Sequence, residues 1–103
     1  MAKLTNEEIT EELKKYNGWA LDPETGKLVA GFEFDDFEQA LSFLNSVAEV
    51  ATETKHHPDL LLHDYSYVTI FTFTEDEKAI SHKDFELIAA IESALVAMAP
   101  ELD

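Results

Sequence analysis

Two adjacent histidines followed by a proline are the residues of this sequence best suited to acid–base chemistry. His56 and His57 precede Pro58, and proline restricts the residue before it to extended backbone. Consecutive side chains of an extended chain point to opposite sides, so the two imidazoles can do different jobs. Because imidazole exchanges protons near neutral pH, the pair is a candidate for proton transfer.

Two other roles for the pair have to be weighed. A metal site is disfavoured because neighbouring residues cannot easily converge on one ion, the chain has no cysteine, and no other histidines have metal-site spacing. A structural role stays open, in which His56 bonds the last carbonyls of a preceding helix and His57 is solvated. His63 and His82 are interpreted as isolated polar residues. The sequence therefore predicts no metal site.

Composition and charge limit the classes of function. The 103 residues fit one domain, residues 1–103, and 22 acidic residues against 7 lysines give a formal net charge of −15. Such a surface repels phosphate backbones and anionic membranes, which argues against direct nucleic-acid binding. We interpret the acidity as a solvated surface. The sequence also shows no secretory signal and no apolar run long enough to cross a bilayer, which predicts a soluble cytoplasmic protein.

The elements that position the histidines follow from periodicity and capping residues. Helical apolar spacing predicts three helices, over residues 6–16, 36–54 and 82–99. Thr5 and Glu8 form a capping box for the first helix, and Ser81 with Asp84 caps the last. The second helix delivers the chain to the histidine pair.

Four strands are predicted, over residues 19–21, 27–34, 60–62 and 65–74. On the last strand the residues around Val68 and Ile70 face the core, while the opposite face carries Phe71 and Phe73. This second apolar face predicts a subunit contact or a ligand platform. The helix over 82–99 is apolar nearly all round, which predicts a homodimer or homotetramer packed through it.

The whole chain resembles the pterin-4a-carbinolamine dehydratase family. The residues that carry the resemblance are His56-His57-Pro58, Tyr65 after a six-residue gap, Val68-x-Ile70, and Ser81-x-x-Asp84-Phe85-Glu86-Leu87. The resemblance implies an α+β fold, with a four-stranded antiparallel sheet and three helices on one face in the order α-β-β-α-β-β-α. It also implies dimers or tetramers.

The resemblance further implies a reaction and the residues that perform it. Members of the family remove water from 4a-hydroxytetrahydropterin to give quinonoid dihydropterin, the recycling step after aromatic amino-acid hydroxylation, without a metal or organic cofactor. His56 and His57 are then the catalytic acid–base pair. Pro58 and Asp84 are then expected to form the pterin-binding pocket.

The chain departs from the family pattern at positions that bear on catalysis. The family usually has a third histidine after the threonine that ends the fourth strand, and here Thr74 is followed by Glu75. Thr52 and Lys55 also replace residues that are commonly acidic or polar. We expect Glu75 to take the third catalytic position. The alternative is a weakly active or inactive relative that acts as a protein-binding module, of the dimerisation-cofactor or RuBisCO-assembly type.

Overall fold

A four-stranded antiparallel sheet is the centre of the structure, a computed structural model that describes residues 3–102, with side chains up to Ala99. The elements in chain order are α1 (Asn6–Leu13), β1 (Trp19–Leu21), β2 (Leu28–Glu33), α2 (Phe37–Thr54), β3 (Asp59–His63), β4 (Tyr67–Thr72), a 3-10 turn (Glu75–Glu77) and α3 (His82–Leu102). The strand order is β1-β2-β4-β3. The predicted α+β architecture and element order are confirmed.

The inner face of the sheet forms one wall of the core. Register places Ala30 opposite Ile70 and Phe32 opposite Val68, so apolar residues two apart on each strand point the same way. Ala30, Val68 and Ile70 are all buried. Trp19 extends this wall onto β1, and its indole Nε1–H donates to the Glu92 carboxylate at 3.2 Å. This bond ties the edge of the sheet to α3.

Helices α2 and α3 pack against each other and close the core. Phe43 of α2 is fully buried, with its ring centroid 4.9 Å from that of Phe32 and 5.1 Å from that of Phe34. Ile88 and Ile91 of α3 are also fully buried. The helix packing therefore uses the apolar stripes that periodicity predicted.

One copy of the chain already buries most of the apolar surface of α3. Phe85, Leu87 and Met98 are buried, and among the side chains of this helix described up to Ala99 the large apolar one left outside is Val96, which is 72% exposed. The inference that this helix needs a second copy to cover both its faces was therefore wrong. Self-association as a homodimer or homotetramer through residues 82–99 stays a prediction.

Four predicted boundaries were also wrong by two or more residues: the ends of α1 and α3, the start of β4, and the end of β4, which lies at Thr72 rather than at residue 74. Helix α1 ends at Leu13 rather than at residue 16, because the N–H groups of residues 14–16 bond carbonyls three residues back in a tighter turn. Strand β4 begins at Tyr67, because Asp64 and Tyr65 adopt left-handed backbone with φ of 49° and 71°. Helix α3 continues to Leu102.

The outer face of the sheet carries no helix in the described part of the chain. It presents Leu61, which is 51% exposed, together with the half-buried Val29 and Phe71. None of the helices within residues 3–102 combines the length and the apolar content needed to cross a membrane.

The aromatic cluster around Phe43 yields a stability prediction. We expect Phe43→Ala to lower the free energy of unfolding by about 3–5 kcal/mol, because it leaves a cavity against Phe32 and Phe34. The matched control is Phe37→Ala in the same helix, since Phe37 is 45% exposed. Urea unfolding followed by circular dichroism measures both. Equal losses in the two variants would contradict the assignment of Phe43 to the core.

Candidate active site

The end of helix α2 places His56 against the core. Lys55 adopts left-handed backbone, with φ of 59°, and the His56 N–H donates to the Ala51 carbonyl at 3.1 Å. This bond closes the helix in the manner of a Schellman turn. It is the backbone of His56 that closes the helix, so its imidazole is left available for another partner.

That partner is the carboxylate of Asp84, in the first turn of α3. His56 Nε2 lies 2.7 Å from Asp84 Oδ1, and Asp84 is fully buried. Thr72 donates its hydroxyl to the same oxygen at 2.6 Å, while Oδ2 accepts from the Thr74 hydroxyl at 2.6 Å and from the Ser81 N–H at 3.0 Å. Four donors thus compensate the burial of one carboxylate, as a buried charge requires.

Two hydroxyl groups extend this network in one direction. Because the Thr74 hydroxyl donates to Asp84, the Ser81 hydroxyl must donate to Thr74 Oγ1, 2.7 Å away. Ser81 Oγ in turn accepts from the Lys83 N–H at 3.2 Å. The hydrogen bonds from Lys83 to Ser81, from Ser81 to Thr74 and from Thr74 to Asp84 therefore all run in the same direction. In such a chain each bond polarises the next.

The network determines which nitrogen of His56 carries a proton. An ionised carboxylate only accepts hydrogen bonds, so the Nε2 atom of His56 must be the donor to Asp84. The neutral imidazole then has its lone pair on Nδ1. Asp84 thereby fixes both the orientation and the tautomer of this ring.

An open cleft of about 220 Å³ lies in front of the histidines. The residues that line it come from the end of α2, the end of β4, the following turn and the start of α3: Lys55, His56, His57, Phe73, Thr74, Glu75, Asp76 and Lys83. We call it the histidine cleft. His57 and Glu75 are exposed, whereas His56 is half-buried. The structure therefore brings the three predicted catalytic residues to one cleft.

The turn that carries Glu75 is closed at its base. Thr74 and Ala79 pair as a β-bridge, with the Thr74 N–H bonding the Ala79 carbonyl at 3.0 Å and the reverse bond at 3.3 Å. Residues 75–78 therefore form a loop outside the network. Glu75 contributes to the rim of the cleft, and Asp84 does not depend on it.

The two residues predicted to form the pterin-binding pocket do not themselves line the cleft. Pro58 is half-buried and does not line the cleft, and Asp84 lies behind His56 without access to solvent. Sequence reasoning missed the bonds from Thr72 and Thr74. Their signal was two polar residues at the two-residue period of the core-facing side, one on β4 and one just beyond its end. Within residues 3–102 no group of three or more His, Asp or Glu side chains could hold a metal ion.

A cation lies beside the aromatic wall of the cleft. Lys27 Nζ is 6.0 Å from the centroid of the Phe73 ring and forms a 2.8 Å ion pair with Asp59. The hydrogen bond to Asp59 raises the pKa of Lys27 above its ordinary value. Lys27 therefore stays charged at neutral pH.

Removing the buried carboxylate tests the network. We expect Asp84→Ala to lower the free energy of unfolding by about 3 kcal/mol or more, because it leaves Thr72, Thr74 and the Ser81 N–H without an acceptor. Asp84→Asn keeps the shape but cannot accept all four bonds, so it should also be destabilising. Urea unfolding measures both variants.

A matched control and a spectroscopic measurement distinguish the loss of one negative charge from the loss of the buried carboxylate beside His56. Asp76→Asn removes the same charge from an exposed residue of the same cleft and should change stability by less than about 0.5 kcal/mol. The imidazole ¹⁵N shifts of His56 should report the Nε2–H tautomer in the wild type and change in Asp84→Asn, while those of His57 stay unchanged. An unchanged His56 spectrum would contradict the assigned role of Asp84.

Comparison with known proteins identifies the family. A sequence profile described as pterin 4 alpha carbinolamine dehydratase matches residues 2–94. A relative from Gloeobacter violaceus, whose name places it in this family, is 41% identical over 93 residues, which cover 88% of this chain and all of that protein. One from Sulfurisphaera tokodaii is 40% identical over 96 residues, covering 92% of this chain and 99% of that protein.

Two solved structures share the fold. The crystal structure of a transcriptional coactivator/pterin dehydratase from Brucella melitensis has a TM-score of 0.83 and 25% identity, over 89% of this chain and 97% of that chain. A pterin dehydratase-like protein identified as a RuBisCO assembly factor in the alpha-carboxysome has a TM-score of 0.63 and 20% identity, over 77% and 90%. The profile match and the relatives together show that the chain belongs to the pterin-4a-carbinolamine dehydratase family.

Proposed function

We propose that this protein is an active pterin-4a-carbinolamine dehydratase, which converts 4a-hydroxytetrahydropterin to quinonoid dihydropterin and water. The observation that carries the proposal is the His56–Asp84 pair at 2.7 Å, with His56 and His57 lining one cleft. A histidine held by a buried carboxylate is an arrangement suited to proton transfer. In this role the protein serves tetrahydropterin recycling in the cytoplasm.

The reaction needs a proton donor and a base within reach of one ring. As the bond between C4a and oxygen breaks, a proton must join the departing hydroxyl, which leaves as water. A proton must also leave the ring nitrogen as the new C=N bond forms. Net charge is unchanged, so two groups that exchange protons near neutral pH are sufficient.

The geometry favours a division of work between the histidines. We assign the base to Nδ1 of His56, because its Nε2–H is committed to Asp84. His57 is exposed at the mouth of the cleft and is assigned the proton donation to the leaving hydroxyl. In this assignment Asp84 is a positioning residue, since it is buried behind His56 and has no contact with the cleft.

Glu75 is proposed as the third polar group of the site. It lines the cleft beside the histidines, at the position where the family usually has another histidine. An ionised carboxylate can accept a proton or a hydrogen bond from the pterin but cannot donate one. It would therefore support the reaction as an acceptor only.

A protein-binding role is the second candidate function. Exposed apolar side chains support it: Phe37 and Tyr65 stack with ring centroids 6.5 Å apart on the surface, and Tyr65 is 64% exposed. Leu61 adds an exposed apolar residue on the outer face of the sheet. Such a surface suits a second copy of this chain or another protein. It does not use the histidine cleft.

Measured dehydration of a 4a-carbinolamine distinguishes the two functions. We expect His56→Ala and His57→Ala each to lower kcat by about 10²- to 10⁴-fold, the usual effect of losing one acid–base group. The reaction can be followed by the absorbance of the quinonoid product. A wild type no faster than the double alanine variant would reject the enzymatic function.

Two further variants examine Glu75 and provide a control. If Glu75 is a weaker substitute for histidine, Glu75→His should raise kcat, whereas an effective acceptor would make this change neutral or harmful. His63→Ala is the control histidine, because His63 bonds Asp64 and Thr69 away from the cleft. Its kcat should equal that of the wild type, and an equal loss there would contradict the assignment of the catalytic pair.

A further inference from the structure

The few lysines of this acidic protein are concentrated around one aromatic side chain. Four of the seven lysines line one of two neighbouring clefts that share Phe73. A fifth, Lys27, lies over the ring of Phe73. These five are Lys3, Lys27, Lys55, Lys78 and Lys83. Asp59 pairs with Lys27, and Glu75 and Asp76 offset Lys55 and Lys83. In a chain with a net charge of −15, the surface lined by Lys3 and Lys78 is therefore the exception to the general repulsion of anions.

The two remaining lysines form ion pairs with neighbouring glutamates. Lys14 pairs with Glu11 at 2.9 Å and Lys15 with Glu12 at 3.1 Å. Each glutamate lies at the end of α1, and each lysine lies three residues further along the chain. These are surface ion pairs between residues three apart, which are of small energetic value. The grouping of the other five is therefore not a general feature of the lysines in this chain.

Beside the histidine cleft lies a larger one, of about 540 Å³. It is bounded by the segment before α1, the β1–β2 hairpin and the loop after β4, and we call it the second cleft. The Leu4 N–H donates to the Ile80 carbonyl at 2.8 Å and holds the first of these segments in place. Lys3 and Lys78 line the second cleft.

The charge of the second cleft differs from that of the histidine cleft. None of the described residues lining the second cleft is acidic, although the chain has 22 acidic residues among 103. In the histidine cleft the two lysines are matched by Glu75 and Asp76. An anionic group is therefore attracted to the second cleft and gains little in the first.

Phe73 lines both clefts, so the two adjoin at this side chain. The histidine cleft, at about 220 Å³, is smaller than the roughly 300–1,000 Å³ of most ligand sites. A bicyclic ring placed against His56 and His57 would leave its side chain to pass over Phe73. The second cleft is the space that this side chain would enter.

We infer that the preferred substrates are tetrahydropterins whose side chain ends in an anionic group, a phosphate or a carboxylate, bound by Lys3 and Lys78. This inference rests on the proposed dehydratase function. A phosphate monoester carries about −1.5 to −2 charges at pH 7, which makes it the stronger ligand of the two. Apolar residues of the second cleft, such as Leu21, would cover the carbon chain.

A matched pair of stable, fluorescent pterins provides the test. Neopterin and neopterin monophosphate differ only in the terminal charge, and their dissociation constants are measured by fluorescence titration. We expect the wild type to bind neopterin monophosphate about three- to tenfold more tightly than neopterin at low salt, which is the gain that two exposed lysines allow. Added salt should reduce this ratio. The double variant Lys3→Gln/Lys78→Gln should lower it to about one while affinity for neopterin is kept.

The control variant is Lys14→Gln/Lys15→Gln, which changes the net charge equally but lies in the turn directly after α1 and should keep the wild-type ratio. Equal affinity of the wild type for both pterins overturns this inference and leaves the dehydratase proposal standing. An equal fall, in both double variants, of the ratio between the affinities for neopterin monophosphate and neopterin also overturns it. Failure of the wild type to bind either pterin, together with absent dehydration, rejects the dehydratase proposal as well.

Discussion

A buried carboxylate that needs four donors at once holds the candidate active site together. The donors to Asp84 come from the segment after α2, from β4 and its extension, and from the turn before α3. Since an uncompensated charge in the core is strongly unfavourable, none of these segments can shift without cost. The same bonds that stabilise the fold therefore orient His56.

The parts of the structure that could be predicted from the sequence rest on local signals. The capping box at Thr5, the helical stripe of α2 and the His-His-Pro segment each depend on residues a few positions apart. The bond between His56 and Asp84 could not be derived in this way, because 28 positions separate them and the packing of α2 against α3 brings them together. Thr72, a polar residue facing the core, was the available clue.

The errors have equally physical causes. Tyr65 favours a strand by its side chain, but the hairpin after β3 needs left-handed backbone there. The apolar circumference of α3 indicated a second copy, whereas α2 and the sheet cover most of it within one chain. Net charge also proved a poor guide to local charge, because Lys3 and Lys78 border a cleft whose described lining residues include no acidic side chain.

The bridge between Thr74 and Ala79 separates the turn that carries Glu75 from the hydrogen bonds to Asp84. Substitutions in residues 75–78 can therefore accumulate during evolution without weakening the fold. Those at Asp84 or Thr72 are opposed by the stability they remove. A lineage could exchange the third polar group of the site, as the Glu75 position suggests, while its scaffold and His56 remain under constant selection.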